Sequence, residues 1–383
     1  MALFKAKNRI IYQIQILDFI MYKYGTNMRI LITGICGFVG STLAKKLQDY
    51  SPNYHIFGID NLSRSGSWIN KQILQQRDIQ VICGDIRYNS DVDALPAADW
   101  VIDAAANPSV LAGVDGKTSS LQLVQHNLLG TINLLEYCKR YQAGFILLST
   151  SRVYSIPGLS QLQVTQAKGA FYPIPEQVFP VGISPLGVAE NYSTNPPVSL
   201  YGSTKVASEH LALEYGETFN FPVWINRCGV MAGAGQFGHP GQGIFAFWIH
   251  SFREQQPLKY IGFGGKGYQV RDCLHPQDLI SLLQKQFAEP LVSDKPRVVN
   301  VSGGAENSMS LNQLTQWCIN RFGSNEVLET NIERPFDIPW MVLDASLVKQ
   351  VWGWKLETSI NEVLEEISQF AIEQQDWCKI SSL

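Results

Sequence analysis

The sequence is poor in charge and has no long apolar run. Charged residues make up 16% of the 383 residues, the formal net charge is −3 and the pI is about 6.1. The basic residues form no cluster, which excludes the charge footprint of a nucleic-acid-binding protein. The apolar fraction of 45% is enough for a large core in two lobes, but no stretch is suited to span a bilayer. We therefore expect a soluble protein that neither binds nucleic acid nor inserts stably into a membrane.

Cysteine is also sparse, and it is dispersed. The odd number of cysteines and the absence of paired short spacings exclude a disulfide framework and a zinc site. We expect a protein of a reducing compartment, the cytoplasm, with no bound metal. The seven cysteines are Cys36, Cys83, Cys138, Cys228, Cys273, Cys318 and Cys378.

Residues 1–27 precede the first predicted strand. Lys5, Lys7 and Arg9 precede an apolar run that Gln13, Gln15 and Asp18 interrupt, and no small-residue cleavage site follows it. The segment therefore does not match the pattern of a signal peptide. We predict that residues 1–27 form a leader outside the fold and that Met28 is the functional start; an amphipathic helix on a membrane surface is the alternative.

Glycines spaced three residues apart follow the first predicted strand. They lie between the apolar segment 28–33 and an amphipathic helix, 41–48. Glycine at such positions allows a tight turn, a close approach of backbone to a pyrophosphate and close helix packing, and the helix N-terminus offers free N–H groups to the anion. The segment predicts a dinucleotide site. The residues expected at the cofactor here are Gly34, Gly37, Phe38, Val39 and Gly40.

A carboxylate ends the second predicted strand. Asp60 stands where a carboxylate can accept hydrogen bonds from both hydroxyls of an adenosine ribose, which favours NAD over NADP. Arg64 is the opposing signal, because a nearby guanidinium can receive a 2′-phosphate. Further cofactor contacts are expected from residues that follow the second, third and fourth strands, namely Asn61, Arg64, Asp85, Ile86, Ala104, Ala105 and Ala106.

Tyr201 and Lys205 stand four residues apart on a predicted helix, so both side chains lie on one helix face. An ammonium beside a phenol favours the phenolate, which would make Tyr201 a general base although its ordinary pKa is about 10. The fifth predicted strand ends in the hydroxyl cluster 149–151, which can face a nicotinamide ring. Turn and cap chemistry is the alternative for these hydroxyls.

Taken together, these motifs resemble those of a known superfamily. From Met28 to about Trp377 the chain resembles the extended short-chain dehydrogenase/reductase superfamily of NAD-dependent nucleotide-sugar epimerases and dehydratases, and within it the CDP-sugar 2-epimerases most closely. The likeness rests on the glycine segment, the segments 60–64 and 84–87, the Tyr and Lys pair, and the segment 268–275.

The resemblance implies an α/β fold in two parts. Residues 28–228 would form a Rossmann-type doubly wound parallel sheet that binds NAD. Residues 229–383 would form mainly a smaller C-terminal α/β substrate-binding lobe, with crossovers into the sheet. The implied cofactor is NAD, the implied substrate is a nucleotide-diphosphate sugar, and the implied assembly is a homodimer or homotetramer.

The resemblance also assigns roles to single residues. Thr150, Tyr201 and Lys205 match the catalytic residues, and Lys205 would also hold the nicotinamide ribose. Asn127 matches an asparagine that supports this lysine through water and is counted with the cofactor site. The residues expected to bind substrate are Asn107, Ser151, Arg152, Asn226, Gln236, Gln242, Arg271 and Arg334, of which Arg271 and Arg334 would grip the diphosphate. A surface pair with Asp272 is the alternative for Arg271.

Two features depart from the superfamily pattern. The 4,6-dehydratases place an Asp and Glu pair directly after the catalytic Thr, whereas Thr150 is followed by Ser151 and Arg152. Elimination of water then lacks an acid catalyst, which disfavours dehydration. In addition, a Pro-rich stretch, 156–197, lengthens the spacer before Tyr201 and is either a lid or a surface excursion.

The sequence therefore favours an epimerase that works by transient oxidation, at carbon 2 or carbon 4 of the sugar. A net dehydrogenase or reductase uses the same catalytic residues and stays open. A catalytically silent dinucleotide-binding scaffold is disfavoured, because both Tyr201 and Lys205 are present.

Overall fold

The computed structural model describes residues 27–381 except 115, 117, 118, 240 and 290. The predicted leader therefore lies, apart from its last residue, outside the described part of the chain. Within that part, no helix has the length and apolar character to cross a membrane. The same residues contain no group of three or more His, Cys, Asp or Glu side chains suited to hold a metal ion.

Residues 28–150 alternate strands with helices, as the apolar segments predicted. Apart from the edge strand Gln80–Cys83, the strands are buried along most of their length, which is typical of a parallel sheet covered on both faces. The elements are β1 (Met28–Thr33), α1 (Phe38–Tyr50), β2 (Tyr54–Asp60), α2 (Ser67–Gln76), β3 (Gln80–Cys83), α3 (Asn89–Asp93), β4 (Trp100–Asp103), α4 (Ser120–Val124), α5 (Gly130–Tyr141) and β5 (Gly144–Thr150).

The middle of the chain contains the Pro-rich insertion and then a long helix. The insertion forms one short helix and two small hairpins, and the long helix carries Tyr201 and Lys205. The elements are α6 (Ile156–Ser160), β6 (Val164–Ala167), β7 (Ala170–Pro173), β8 (Ile183–Ser184), β9 (Gly187–Val188), α7 (Ser199–Phe219), β10 (Val223–Cys228) and β11 (Val230–Met231).

The remaining elements build the C-terminal lobe and complete the sheet. They are α8 (Ile244–Arg253), β12 (Leu258–Tyr260), β13 (Val270–Leu274), α9 (Ile280–Ala288), β14 (Val298–Val301), β15 (Ser308–Ser310), α10 (Leu311–Phe322), β16 (Val327–Glu329), β17 (Trp340–Met341), α11 (Ser346–Trp352), α12 (Ile360–Glu373) and α13 (Trp377–Ile380).

Seven strands form one parallel sheet in the order β3-β2-β1-β4-β5-β10-β14. This is the predicted Rossmann-type doubly wound arrangement. The strand order reverses between β1 and β4, and ligands in such folds bind in the crevice at the carboxyl ends of the strands beside this point. The last strand, β14, comes from the C-terminal part of the chain and is one of the predicted crossovers.

The Pro-rich insertion docks on the C-terminal lobe. The amide of Phe171 donates to the carbonyl oxygen of Tyr268 at 2.9 Å, and the hydroxyl of Ser310 donates to the carbonyl oxygen of Gly169 at 2.6 Å. Apolar side chains of the insertion share one core with residues 338–343. The insertion therefore folds as part of this lobe.

A buried ion pair fixes helix α7 against the sheet. Arg227 on β10 donates to both carboxylate oxygens of Glu209 on α7, with Nη2 at 2.7 Å from Oε2 and Nε at 3.1 Å from Oε1. Their side chains are 9% and 2% exposed. The hydroxyl of Ser149 donates to the same carboxylate at 2.5 Å, and Arg227 also donates to the Tyr154 hydroxyl, which donates to Asn300 at 2.6 Å. The network joins α7, β5, β10 and β14.

Replacing Glu209 with Gln should destabilise the protein by about 3 to 5 kcal/mol, because Arg227 then stays buried without its countercharge. Urea unfolding measures the loss. The matched control is Glu329→Gln, which breaks the exposed ion pair with Lys266 and should leave the unfolding midpoint unchanged. Equal midpoints for the two variants would contradict the role given to the buried pair.

Candidate active site

A cavity of about 610 Å³ opens at the carboxyl ends of the parallel strands and extends to the C-terminal lobe. Its position is the one that the strand order dictates. All of the predicted cofactor and substrate residues line it, with the exceptions of Asn127 and Asn226. The structure thus brings together residues that are up to 300 positions apart in the chain.

The glycine loop between β1 and α1 forms one end of the cavity. Gly34 has a φ of +61°, and a Cβ there would lie 3.0 Å from the backbone of Ala105. A Cβ on Gly40 would lie 2.3 Å from the carbonyl oxygen of Gly34, so only glycine lets the helix pack this closely. Helix α1 begins after Gly37 without a side-chain cap. Its first N–H groups therefore fit the pyrophosphate of a dinucleotide.

Asp60 ends β2 beside this loop. Its carboxylate accepts hydrogen bonds from the amides of Cys36 at 2.9 Å and Leu62 at 2.8 Å, so it shapes the loop as well as facing the cavity. Burial raises the pKa of Asp60, while these amides act in the opposite direction. Arg64 donates to the side chain of Gln242, which joins the loop after β2 to the loop before α8.

Asn61 links the ribose end of the cavity to the loop after β3. Its amide donates to Asp85 Oδ2 at 2.9 Å, and Arg87 pairs with the same carboxylate at 2.7 Å. Burial opposes the charge of Asp85, but the hydrogen bonds from Arg87 and Asn61 outweigh it and lower the pKa of Asp85 to about 2. The carboxylate of Asp85 is thus committed to contacts within the protein.

Asn127 lies behind the cavity wall and does not line the cavity, so its supporting role at the cofactor site stays a prediction. It is buried in a π-helical turn that spans Gln125–Leu129. Its side chain accepts from the amide of Asn107 at 2.8 Å and donates to the carbonyl oxygen of Asn107 and to the Thr204 hydroxyl. Asn127 therefore positions the loop after β4 against helix α7.

Thr150, Tyr201 and Lys205 meet at the centre of the cavity wall. Thr150 ends β5 and accepts the amide of Arg152 at 3.2 Å, which caps the short turn Ser151–Val153. Tyr201 and Lys205 are both buried on the face of α7 that packs against this turn. A hydrogen bond between the Thr150 hydroxyl and the Tyr201 phenol lowers the pKa of the phenol.

The predicted lowering of the Tyr201 pKa was wrong in its net direction. Burial raises the pKa of Tyr201 to about 12, and the hydrogen bond with Thr150 and the charge of Arg152 offset only part of this effect. Burial also lowers the pKa of Lys205, against the attraction of Asp103 and Glu209. The spacing of Tyr201 and Lys205 can be read from the sequence. The cost of desolvation cannot, because it depends on how deeply the folded protein buries each group.

Asn226 is not among the residues that line the cavity, and its predicted contact with substrate stays a prediction. It is fully buried within β10, and its amide exchanges hydrogen bonds of 3.0 and 2.8 Å with the side chain of Gln286 on α9. Asn226 therefore ties the sheet to α9. A polar side chain in a strand can face either a ligand or a neighbouring helix. The sequence alone does not show which of the two it faces.

One half of the cavity is basic, because it is lined by Arg152, Arg271 and Arg334. Arg271 pairs with Asp337 at 3.0 Å, and its second nitrogen donates to the carbonyl oxygens of Val270 and Ile338 at 2.7 and 2.9 Å. The alternative pairing of Arg271 with Asp272 is excluded, because the Asp272 carboxylate is buried and accepts from Ser302 and two backbone amides. These contacts hold the Arg271 guanidinium in place at the cavity, and its predicted binding of a diphosphate stays a prediction.

Gln236 offers an acceptor to a ligand. Its Nε2 donates to the carbonyl oxygen of Met231 at 3.2 Å, whereas its buried Oε1 has no partner among the described residues. Because a buried acceptor without a partner is costly, it is suited to receive a hydroxyl or amine hydrogen. The Trp377 indole donates to the carbonyl oxygen of Gln236 at 3.0 Å, and this contact stabilises the loop.

Sequence reasoning missed three residues of this region. Glu209 follows Lys205 by four positions on the same helix face, and that spacing was a usable signal. Asp337, the partner of Arg271, lies in an irregular segment and gave no periodic signal. His126 lines the cavity from the π-helical turn, which has no recognisable sequence pattern.

Replacing Asp60 with Ala should weaken the binding of NAD far more than that of NADP. The ribose hydroxyls would lose a charge-assisted acceptor worth about 1.5 to 3 kcal/mol. The substitution also loosens the glycine loop for both cofactors, so the quantity to measure by calorimetry is the ratio of the two affinities. Asp49→Asn, which removes an exposed carboxylate from α1, is the control and should leave the ratio unchanged. An unchanged ratio in Asp60→Ala would show that Asp60 does not read the ribose.

The sequence and the fold can be compared with known proteins. CDP-paratose 2-epimerase of Salmonella typhi is 27% identical over 349 residues, which cover 89% of this chain and 98% of that protein. UDP-glucuronate 4-epimerase of Thermodesulfobacterium geofontis is 24% identical over 366 residues, covering 91% and 98%. The structure of UDP-glucuronic acid 4-epimerase from Bacillus cereus, in complex with UDP-glucuronic acid and NAD, superposes with a TM-score of 0.67, 26% identity and coverage of 90% and 99%.

The family match covers the sheet and most of the cavity. The profile of the family described as "NAD dependent epimerase/dehydratase family" matches residues 30–302, from β1 to the residue after β14. NAD is the cofactor of this family, and the glycine loop and Asp60 are arranged to hold it. The chain is an enzyme of the extended short-chain dehydrogenase/reductase type and belongs to the NAD-dependent epimerase/dehydratase family.

Proposed function

We propose that this protein is a nucleotide-diphosphate sugar epimerase of the CDP-paratose 2-epimerase type. The observation that carries the proposal is the nature of the side chains around Thr150. Of the described acidic residues that line the cavity, Asp60 and Asp85 lie at the ribose end, and Asp337 is paired with Arg271. No carboxylic acid among them accompanies Thr150 and Tyr201, so elimination of water lacks its catalyst.

The residues present are sufficient for transient oxidation. Tyr201 takes the proton of one sugar hydroxyl, and Thr150 donates a hydrogen bond to the oxygen that becomes a ketone. NAD, when bound, accepts the hydride and returns it to the other face of the same carbon. Lys205 holds the nicotinamide ribose, and Tyr201 gives its proton back. The oxidised cofactor would be regenerated at the end of the cycle, so no external oxidant is consumed.

Epimerisation at carbon 4 is the second candidate. It is favoured by the UDP-glucuronate 4-epimerases, whose identity to this chain, 24% and 26%, is close to the 27% of the 2-epimerase. A net dehydrogenase would differ from both by releasing reduced cofactor, so NAD that copurifies with the protein supports an epimerase. We further propose that the enzyme works in the cytoplasm as a homodimer or homotetramer.

Replacing Tyr201 with Phe should lower kcat by about 10² to 10⁴ while NAD remains bound, because the ring still packs but no proton acceptor remains. Turnover and cofactor content are measured on the same sample. Tyr215→Phe is the matched control, since Tyr215 lies on the same helix and bonds to Glu136 away from the cavity. Wild-type turnover in Tyr201→Phe would refute the assignment of the base.

Deuterium at carbon 2 of the sugar tests the cycle itself. Because the label would travel on the cofactor and return to the same carbon, it should remain in the product after epimerisation in ordinary water. Mass spectrometry of the product measures retention. Loss of the label to water would reject transient oxidation at carbon 2. A substrate labelled at carbon 4 completes the test, because the enzyme shows a primary isotope effect only at the carbon that it oxidises.

A further inference from the structure

Arg152 has a fixed place beside the reacting groups. It lies in the turn that Thr150 caps, and its amide donates to the Thr150 hydroxyl at 3.2 Å. Its carbonyl oxygen packs against Gly202, where a Cβ would approach to 2.3 Å. The residue next to Tyr201 is therefore in direct contact with the backbone of Arg152. The side chain of Arg152 lines the cavity.

The charges around Arg152 are unbalanced. Three guanidinium groups, those of Arg152, Arg271 and Arg334, line this half of the cavity together with one carboxylate, that of Asp337. Asp337 pairs with Arg271, and Arg152 forms no ion pair with any described carboxylate. Two positive charges thus remain without an ion-pair partner among the described residues, and both arginines are partly buried, where an unpaired charge is costly. A nucleoside diphosphate supplies the two negative charges that balance them.

Of the three arginines, Arg152 is the one whose backbone contacts the reacting residues. Its amide donates to Thr150 and its carbonyl oxygen packs against Gly202, the neighbour of Tyr201. Burial and the charges of Arg271 and Arg334 lower the pKa of Arg152 to about 9, so its guanidinium is still charged at neutral pH. A sugar that reacts at Thr150 and Tyr201 would therefore lie beside Arg152.

We propose that Arg152 binds the phosphate attached to the sugar and retains the oxidised sugar until it is reduced again. This inference rests on the proposed function. In the oxidation, a sugar carbon loses hydride to NAD and its hydroxyl loses a proton to Tyr201. The resulting ketone turns over before it takes both back. An anchor at the neighbouring phosphate permits this rotation and prevents release.

The phosphate contact can be tested by binding alone. The probes are CDP against CMP and UDP against UMP, because each pair differs only in the second phosphate. In Arg152→Gln, the affinity for the diphosphate should fall about tenfold while that for the monophosphate is unchanged. Arg152→Lys should restore part of the difference, and thermal unfolding verifies that both variants are folded. An unchanged ratio of diphosphate to monophosphate affinity in Arg152→Gln would overturn the proposal.

Retention of the ketone has its own readout. With CDP-tyvelose, or UDP-glucuronic acid if the wild-type enzyme acts only on that, Arg152→Gln should accumulate enzyme-bound NADH and release keto sugar. Arg334→Gln is the comparison and should raise KM without accumulating NADH. If Arg152→Gln also only raises KM, Arg152 is not the retaining group and the proposal fails. If the wild-type enzyme itself accumulates NADH, the proposed epimerase function fails, and this is seen before any variant is compared.

Discussion

The active site depends on where helix α7 lies, and a buried ion pair determines this. Glu209 is two turns beyond Tyr201 and one turn beyond Lys205, so its attachment to Arg227 sets both the rotation of the helix and its distance from the sheet. The same carboxylate accepts from Ser149, the neighbour of Thr150. One buried charge therefore fixes the base and the hydroxyl that works with it.

The second constraint is the cost of burying ionisable groups. Tyr201 and Lys205 are both desolvated, which raises the pKa of Tyr201 and lowers that of Lys205. Burial therefore favours the neutral form of each. Reactivity then depends on the charges that remain nearby, and Arg152 is one of them. Where a dehydratase would carry acids, this enzyme carries a cation. Under the proposed function, this difference directs the same fold from elimination toward retention of a negatively charged substrate.

Much of this architecture is predictable from the sequence, for physical reasons. The glycine loop, the strand ends and the Tyr and Lys spacing are local patterns, and the parallel sheet brings them to one edge. The directions of Asn127 and Asn226 were not predictable, because the direction of a polar side chain depends on packing partners, here Asn107 and Gln286, that are distant in sequence. Asp337 was missed because an irregular segment has no periodicity.

The contribution of the C-terminal part to the sheet affects how the protein is made. The layer that covers β1 contains Trp352 and Trp354, and Trp352 packs edge-on against Trp224 with ring centroids 5.0 Å apart. At ordinary rates of synthesis, the ribosome needs roughly ten seconds to extend the chain from Cys228 to Trp354. During that time α1 already packs on this face beside β1, but Trp224 lacks its contact with Trp352. The cofactor-binding half is therefore the first to be synthesised, yet its folding is completed only near the end of translation.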